Sequence, residues 1–125
     1  MELIIRNIAN HPIYDQIYTQ IKAQILAEKL APGEALPSIR CLAKDLKISV
    51  ITTKRAYDEL EAEGLIDTVA GKGCFVAQRN LDAIREQQLR EMEAHLRQAA
   101  EKAKSCGVSP EGLHETLRMI LEETT

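Results

Sequence analysis

Two serines bracket the stretch that constrains this chain most. Ser38 precedes Leu42, Ala43 and Leu46, which recur at helical spacing, and serine is a preferred helix N-cap. Only Lys47 and Ile48 separate that helix from Ser49, which caps the next one. Thr52 stands where a capping box would carry Glu or Gln, so the box itself is absent. Ile48, Ala56 and Leu60 point one way, with Tyr57 beside them, and Gly64 supplies a left-handed residue that ends the helix. The spacing predicts two short helices joined by a tight turn.

Thr52, Thr53, Lys54 and Arg55 crowd the first two turns of the second helix. Hydroxyl and basic residues at the N-terminal end of such a helix follow the helix-turn-helix plan. The local charge agrees: Arg40, Lys44, Lys47, Lys54 and Arg55 face Asp45 alone between Ser38 and Arg55. The whole chain is acidic, with a formal charge of -3. The local excess matters more, because phosphate attraction is screened within roughly 8–10 Å at physiological salt.

The flanks supply the rest of a domain. Leu3, Ile4 and Ile5 are β-favouring and read either as an edge strand or as an arm that packs on a partner. Pro12 suits the first turn of a helix. Ile13, Ile17, Ile21 and Ile25 then form a core stripe, widened by Tyr14, Tyr18 and Leu26, in a helix running to about Lys29. Pro32-Gly33 favours a type II turn and Pro37 forbids helix just before it, with Leu30 and Leu36 as anchors. Past Gly64, the runs Leu65–Val69 and Cys74–Ala77 flank Gly71-Lys72-Gly73, which predicts a hairpin with one positive charge at a glycine tip, a wing.

From Leu81 the composition changes. Asp82 to Lys104 is rich in good helix formers, and Leu89, Met92, Leu96, Ala99 and Ala103 alternate in steps of three and four, which suits a two-helix seam. Gly107 ends that helix, and Ser109-Pro110 restarts a shorter one carrying Leu113, Leu117, Ile120 and Leu121. The expected fold is mainly α with a small β-hairpin: a winged helix-turn-helix domain over residues 1–78 and a helical dimerisation hairpin over residues 79–125. The alternative is a hairpin folded back on its own wing domain. Dimerisation is favoured because two short helices have little else to bury against.

Other classes are disfavoured. No apolar run approaches the roughly 18 residues that span a membrane, and MELIIRNIAN lacks the apolar core of a signal peptide. Three widely spaced cysteines, Cys41, Cys74 and Cys106, fit free thiols in a reducing cytoplasm. Aromatic residues are too scarce for stacking on single-stranded nucleic acid. His11, His95 and His114 fall in no Cys-x-x-Cys or His-Glu-x-x-His pattern, and Gly71-Lys72-Gly73 is too short for a P-loop. No catalysis, cofactor or metal is therefore expected.

With these residues placed, the chain resembles the GntR family of bacterial transcriptional regulators over about residues 12–77. The likeness lies in Pro12–Ile17, in Pro32-Gly33-Glu34, in Leu36–Arg40 with Leu42-Ala43, in Thr52 with Arg55-Ala56-Tyr57, in Leu60-Glu61 and Glu63–Ile66, and in Gly71–Gly73 with Phe75-Val76. The family's large effector-binding domains are missing. The short helical tail resembles the YtrA-type branch, whose tails dimerise and whose members often repress ABC-type transporter operons. The resemblance implies DNA contacts by Arg40, by Ser49, Thr52, Lys54 and Arg55, and by the wing residues Gly71, Lys72 and Gly73. Lys44, Val50 and Thr53 join the candidate surface. One departure stands out: many relatives carry arginine just after the capping serine, where this chain has Val50, followed by Ile51. A base-contacting arginine is lost there, and apolar contact with thymine methyl groups becomes available.

The expected mechanism is a homodimer, with Leu89, Met92, Leu96, Ala99, Leu113, Leu117 and Ile120 forming the seam. It would place two helix tips (Ser49 to Arg55) in successive major grooves of double-stranded DNA and the wings in adjacent minor grooves, repressing by blocking polymerase. The competing readings are a metal- or thiol-responsive regulator and a winged helix that binds protein through Val50 and Ile51.

Overall fold

The computed structural model describes residues 1–8, 10–79 and 81–124. The elements follow in the order α1 (Ile13–Leu26), α2 (Ile39–Leu46), α3 (Val50–Ala62), β1 (Ile66–Val69), β2 (Gly73–Val76), α4 (Leu81–Ser105) and α5 (Pro110–Thr124). They divide into two compact units, the first ending at Arg85 and the second beginning at Glu86, so the division falls inside α4. Leu81 is buried in the first unit, Ile84 packs on its core, and Arg85 Nε donates to the Leu26 carbonyl at 3.0 Å.

In the first unit, α1 starts where Pro12 stops offering a donor, and its isoleucine stripe turns inward: Ile17, Ile21 and Ile25 are buried. The helix stops at Leu26, short of Lys29, because the chain turns left-handed at Glu28 (φ 61°). Leu42 comes from α2, Ala56, Tyr57 and Leu60 from α3, and Ile66, Cys74 and Val76 from the hairpin, closing one core around that stripe. Each fully buried large side chain contributes about 1.5–3 kcal/mol.

β1 and β2 pair antiparallel with Ile66 opposite Val76. The turn segment before α2 adds a third, very short strand: Ala35 bridges Phe75, Leu36 N–H donates to the Cys74 carbonyl at 2.9 Å, and Val76 N–H donates to Glu34 at 2.9 Å. Gly33 (φ 81°) takes the left-handed corner of the type II turn, closed by Glu34 N–H on the Ala31 carbonyl at 3.0 Å.

Among the described residues, the N-terminal arm joins no sheet. Its backbone is held by glutamines on α1 instead. Gln16 Oε1 accepts from Arg6 N–H at 2.8 Å while its Nε2 donates to the carbonyls of Arg6 and His11 at 2.7 and 2.9 Å. Gln20 brackets Ile4 in the same way at 2.8 and 2.6 Å, and Gln24 donates to the Glu2 carbonyl at 2.8 Å. The match is metric: four residues of helix rise about 6 Å, and two residues of extended chain rise about 6.6 Å.

The second unit carries the rest of α4 and all of α5. Gly107 (φ 77°) ends α4, and Ser109 Oγ accepts from Gly112 N–H at 3.1 Å as the cap of α5. Ala103 is its one buried apolar side chain among the described residues. Leu89, Met92, Leu96, Leu117 and Ile120 stand exposed.

Candidate nucleic-acid interface

Ser38 Oγ accepts from Cys41 N–H at 3.1 Å and starts α2. Arg40 and Lys44 then fall one turn apart on its exposed side. Neither makes an ion pair or a side-chain hydrogen bond among the described residues. The tight turn needs a left-handed residue, and Lys47 takes it (φ 58°), its own N–H donating to the Lys44 carbonyl at 3.2 Å and the next, from Ile48, to Ala43 at 3.0 Å. Tyr57 on α3 donates its hydroxyl to the Pro37 carbonyl at 2.8 Å, fixing the entry to α2. Burial pushes that phenol above its ordinary range, so it remains a neutral donor.

At the tip of α3, Ser49 Oγ accepts from Thr52 N–H at 3.1 Å and donates to Thr52 Oγ1 at 2.7 Å. Thr52 Oγ1 thus accepts from the capping hydroxyl rather than from the Ser49 N–H, as a capping-box side chain would, and keeps its own O–H free to donate. Thr53 corrects an expectation. It is fully buried, and its Oγ1 donates to the Ser49 carbonyl at 3.1 Å, so it cannot meet a duplex. The reason is phase: Thr53 lies on the stripe of Ala56, Tyr57 and Leu60, a position that i, i+3, i+4, i+7 spacing assigns to the core. Its polar side chain obscured that signal.

The basic residues of α3 are held by neighbours. Lys54 Nζ meets Asp58 at 2.7 Å, and that hydrogen bond raises its pKa, so it stays cationic at neutral pH. The Arg55 guanidinium stacks 3.6 Å from the centroid of the Tyr14 ring, with Glu59 at 3.9 Å. Tyr14 widens the α1 stripe, but its partnership with Arg55 crosses two helices and has no local sequence signature.

The hairpin tip is set by backbone conformation. Gly71 and Gly73 have φ 75° and 110°, and Lys72 N–H closes the turn on the Val69 carbonyl at 2.9 Å. No atom lies within 4 Å of a Cβ built on either glycine, so dihedral freedom rather than internal crowding explains them. Lys72 and, after the strand, Arg79 are exposed.

Among the described residues no group of three or more His, Cys, Asp or Glu side chains is placed to hold a metal, and no helix is long and apolar enough to cross a membrane. His11 instead faces Asp15 at 3.1 Å.

Comparison with known proteins bears on this geometry. Residues 13–76 match the bacterial regulatory proteins of the gntR family. The chain is 36% identical over 112 residues to the transcriptional repressor YtrA of Bacillus subtilis, covering 90% of this chain and 86% of the relative. A transcriptional regulator from Oenococcus oeni has a similar structure, with a TM-score of 0.73 at 30% identity over 97% of both chains. The DNA-binding domain of AraR in complex with an operator superposes with a TM-score of 0.54 at 28% identity, covering 62% of this chain and 96% of that one.

Proposed function

The chain belongs to the GntR family of bacterial regulatory proteins, DNA-binding transcription regulators and not enzymes, and we propose that it is a repressor acting as a homodimer on a near-palindromic operator. The observation that carries the reading is the state of its free cations. Among the described residues, Arg40, Lys44 and Lys72 stand exposed without an ion-pair partner, on the helix-turn-helix and at the wing tip. Each can exchange condensed counterions for a phosphate without breaking an internal bond. The N-terminal turns of α3 would enter the major groove and the wing an adjacent minor groove. Repression rests on the likeness to the repressor YtrA, and the resemblance of the short helical tail to the YtrA-type branch makes an ABC-type transporter operon the proposed target.

Pairing is supported by the second unit. Leu89, Met92, Leu96 and Ala99 on α4 and Leu117 and Ile120 on α5 are exposed in the single chain, with Leu113 half-buried beside them. A seam of such residues at steps of three and four is what a partner helix covers. Two-fold pairing sets the half-sites about one helical turn apart.

Gel shifts on an operator enriched from a random duplex pool test the assignment. Arg40→Ala is expected to cost roughly 1–3 kcal/mol and relax specificity, and Lys44→Ala to weaken all sequences alike. Unchanged binding by both variants would overturn it.

A further inference from the structure

Ile51 is 82% exposed, the most exposed large apolar side chain among the described residues. Its place on α3 gives that exposure a purpose. Thr53, Ala56, Tyr57 and Leu60 define the buried stripe, and at about 100° per residue Ile51 projects from the opposite side, together with Arg55 and Asp58. It therefore lies at the crest of the exposed helix face, in the first turn. Val50 is flanking and less exposed, at 47%.

The polar groups around that crest make internal contacts that order them while leaving them exposed to a duplex. The hydroxyls of Ser49 and Thr52 face each other at 2.7 Å, Lys54 is held by Asp58, and Arg55 lies on Tyr14. At the crest itself, in the first turn, the side chain that the helix offers to a base edge is hydrocarbon. In the major groove only thymine answers with hydrocarbon, through its 5-methyl group.

We infer that Ile51 is a specificity-determining residue that reads a thymine methyl in each operator half-site. The inference rests on the proposed operator binding and deepens it. Covering one methyl is worth about fourfold in Kd, and about fifteenfold when both half-sites are counted.

The test uses the full chain and an operator enriched by the wild-type protein from random duplexes. Each thymine is replaced in turn by uracil, which removes the methyl and nothing else, and Kd is measured by fluorescence anisotropy at fixed salt. One thymine per half-site is expected to show the fourfold loss with wild-type protein, and Ile51→Ala is expected to bind the thymine and uracil duplexes equally. Ile51 packs on nothing in the core, so the variant keeps the fold. Wild-type binding that ignores every uracil, or an Ile51→Ala variant that still responds to them, would overturn the inference while leaving operator binding intact. A pool from which wild type enriches no sequence would remove the operator reading itself, and the inference with it.

Discussion

Arg55 has two possible restraints, and their magnitudes decide between them. The Glu59 contact is 3.9 Å long, between side chains 60% and 42% exposed. An i, i+4 pair of that kind is worth about 0.3–0.5 kcal/mol, and salt screens it. The Tyr14 ring lies 3.6 Å from the guanidinium carbon, well inside the range of a cation–π contact, which contributes about 0.5–1 kcal/mol at an exposed site and more when partly desolvated. The ring therefore positions the arginine, and it does so without neutralising its charge for DNA. Replacing Tyr14 by Leu keeps apolar bulk at the head of α1 and removes the stack. The expected loss is about 1 kcal/mol, or about fivefold in operator affinity per half-site. Tyr14→Phe retains the ring face and most of the affinity. A double-mutant cycle gives the decisive readout: in an Arg55→Ala background, Tyr14→Leu has no further effect on Kd. Glu59→Ala leaves binding within about twofold. Additive losses from Tyr14→Leu and Arg55→Ala, with thermal melts showing all variants folded, would refute a positioning role for the ring.

Other consequences follow from the same contacts. Thr53→Val keeps operator affinity within about twofold and shifts stability by about 1 kcal/mol or less, because the Ser49 carbonyl still accepts from Thr53 N–H at 3.2 Å; a large loss of binding in the gel shift would return Thr53 to the DNA surface. Leu96→Asp places a carboxylate in the proposed seam and is expected to raise the dimer dissociation constant on the order of 100-fold by sedimentation, with the first unit still folded; an unchanged dimer would exclude that seam. Gln16→Leu removes three bonds to the arm at a cost of about 1–3 kcal/mol, and hydrogen exchange at the Arg6 amide accelerates; unchanged protection there would mean that the glutamines do not hold the arm.

Much of this architecture was readable in the residues because the signals are local. Ser38, Ser49 and Ser109 each accept the N–H that an N-cap should accept, and Gly64 and Gly107 take the left-handed ends. The isoleucine stripe of α1 and the hairpin around Gly71 depend only on period and turn chemistry. What escaped depends on partners far along the chain. Ala35 pairs with Phe75 in a segment bounded by two prolines, where no alternation is long enough to mark a strand. The arm was open between edge strand and partner-binding arm, yet glutamine side chains pair its backbone, a bond that propensity does not encode. Lys47 occupies a left-handed position usually taken by glycine, so the turn carried no breaker to read. At the candidate interface, charge and capping located Arg40, Lys44 and Ser49, but the partners Tyr14 and Asp58 became visible only with the helices packed.

The central claim is that the tip of α3 and the glycine-tipped hairpin meet one duplex as a two-fold pair. Hydroxyl-radical footprinting of the enriched operator, with wild-type protein and with Lys72→Ala, tests it most directly. The account predicts two symmetric sets of protections about one helical turn apart, each with a minor-groove component, and selective loss of that component in the variant. A single unpaired protected patch, or a pattern that Lys72→Ala leaves untouched, would contradict it.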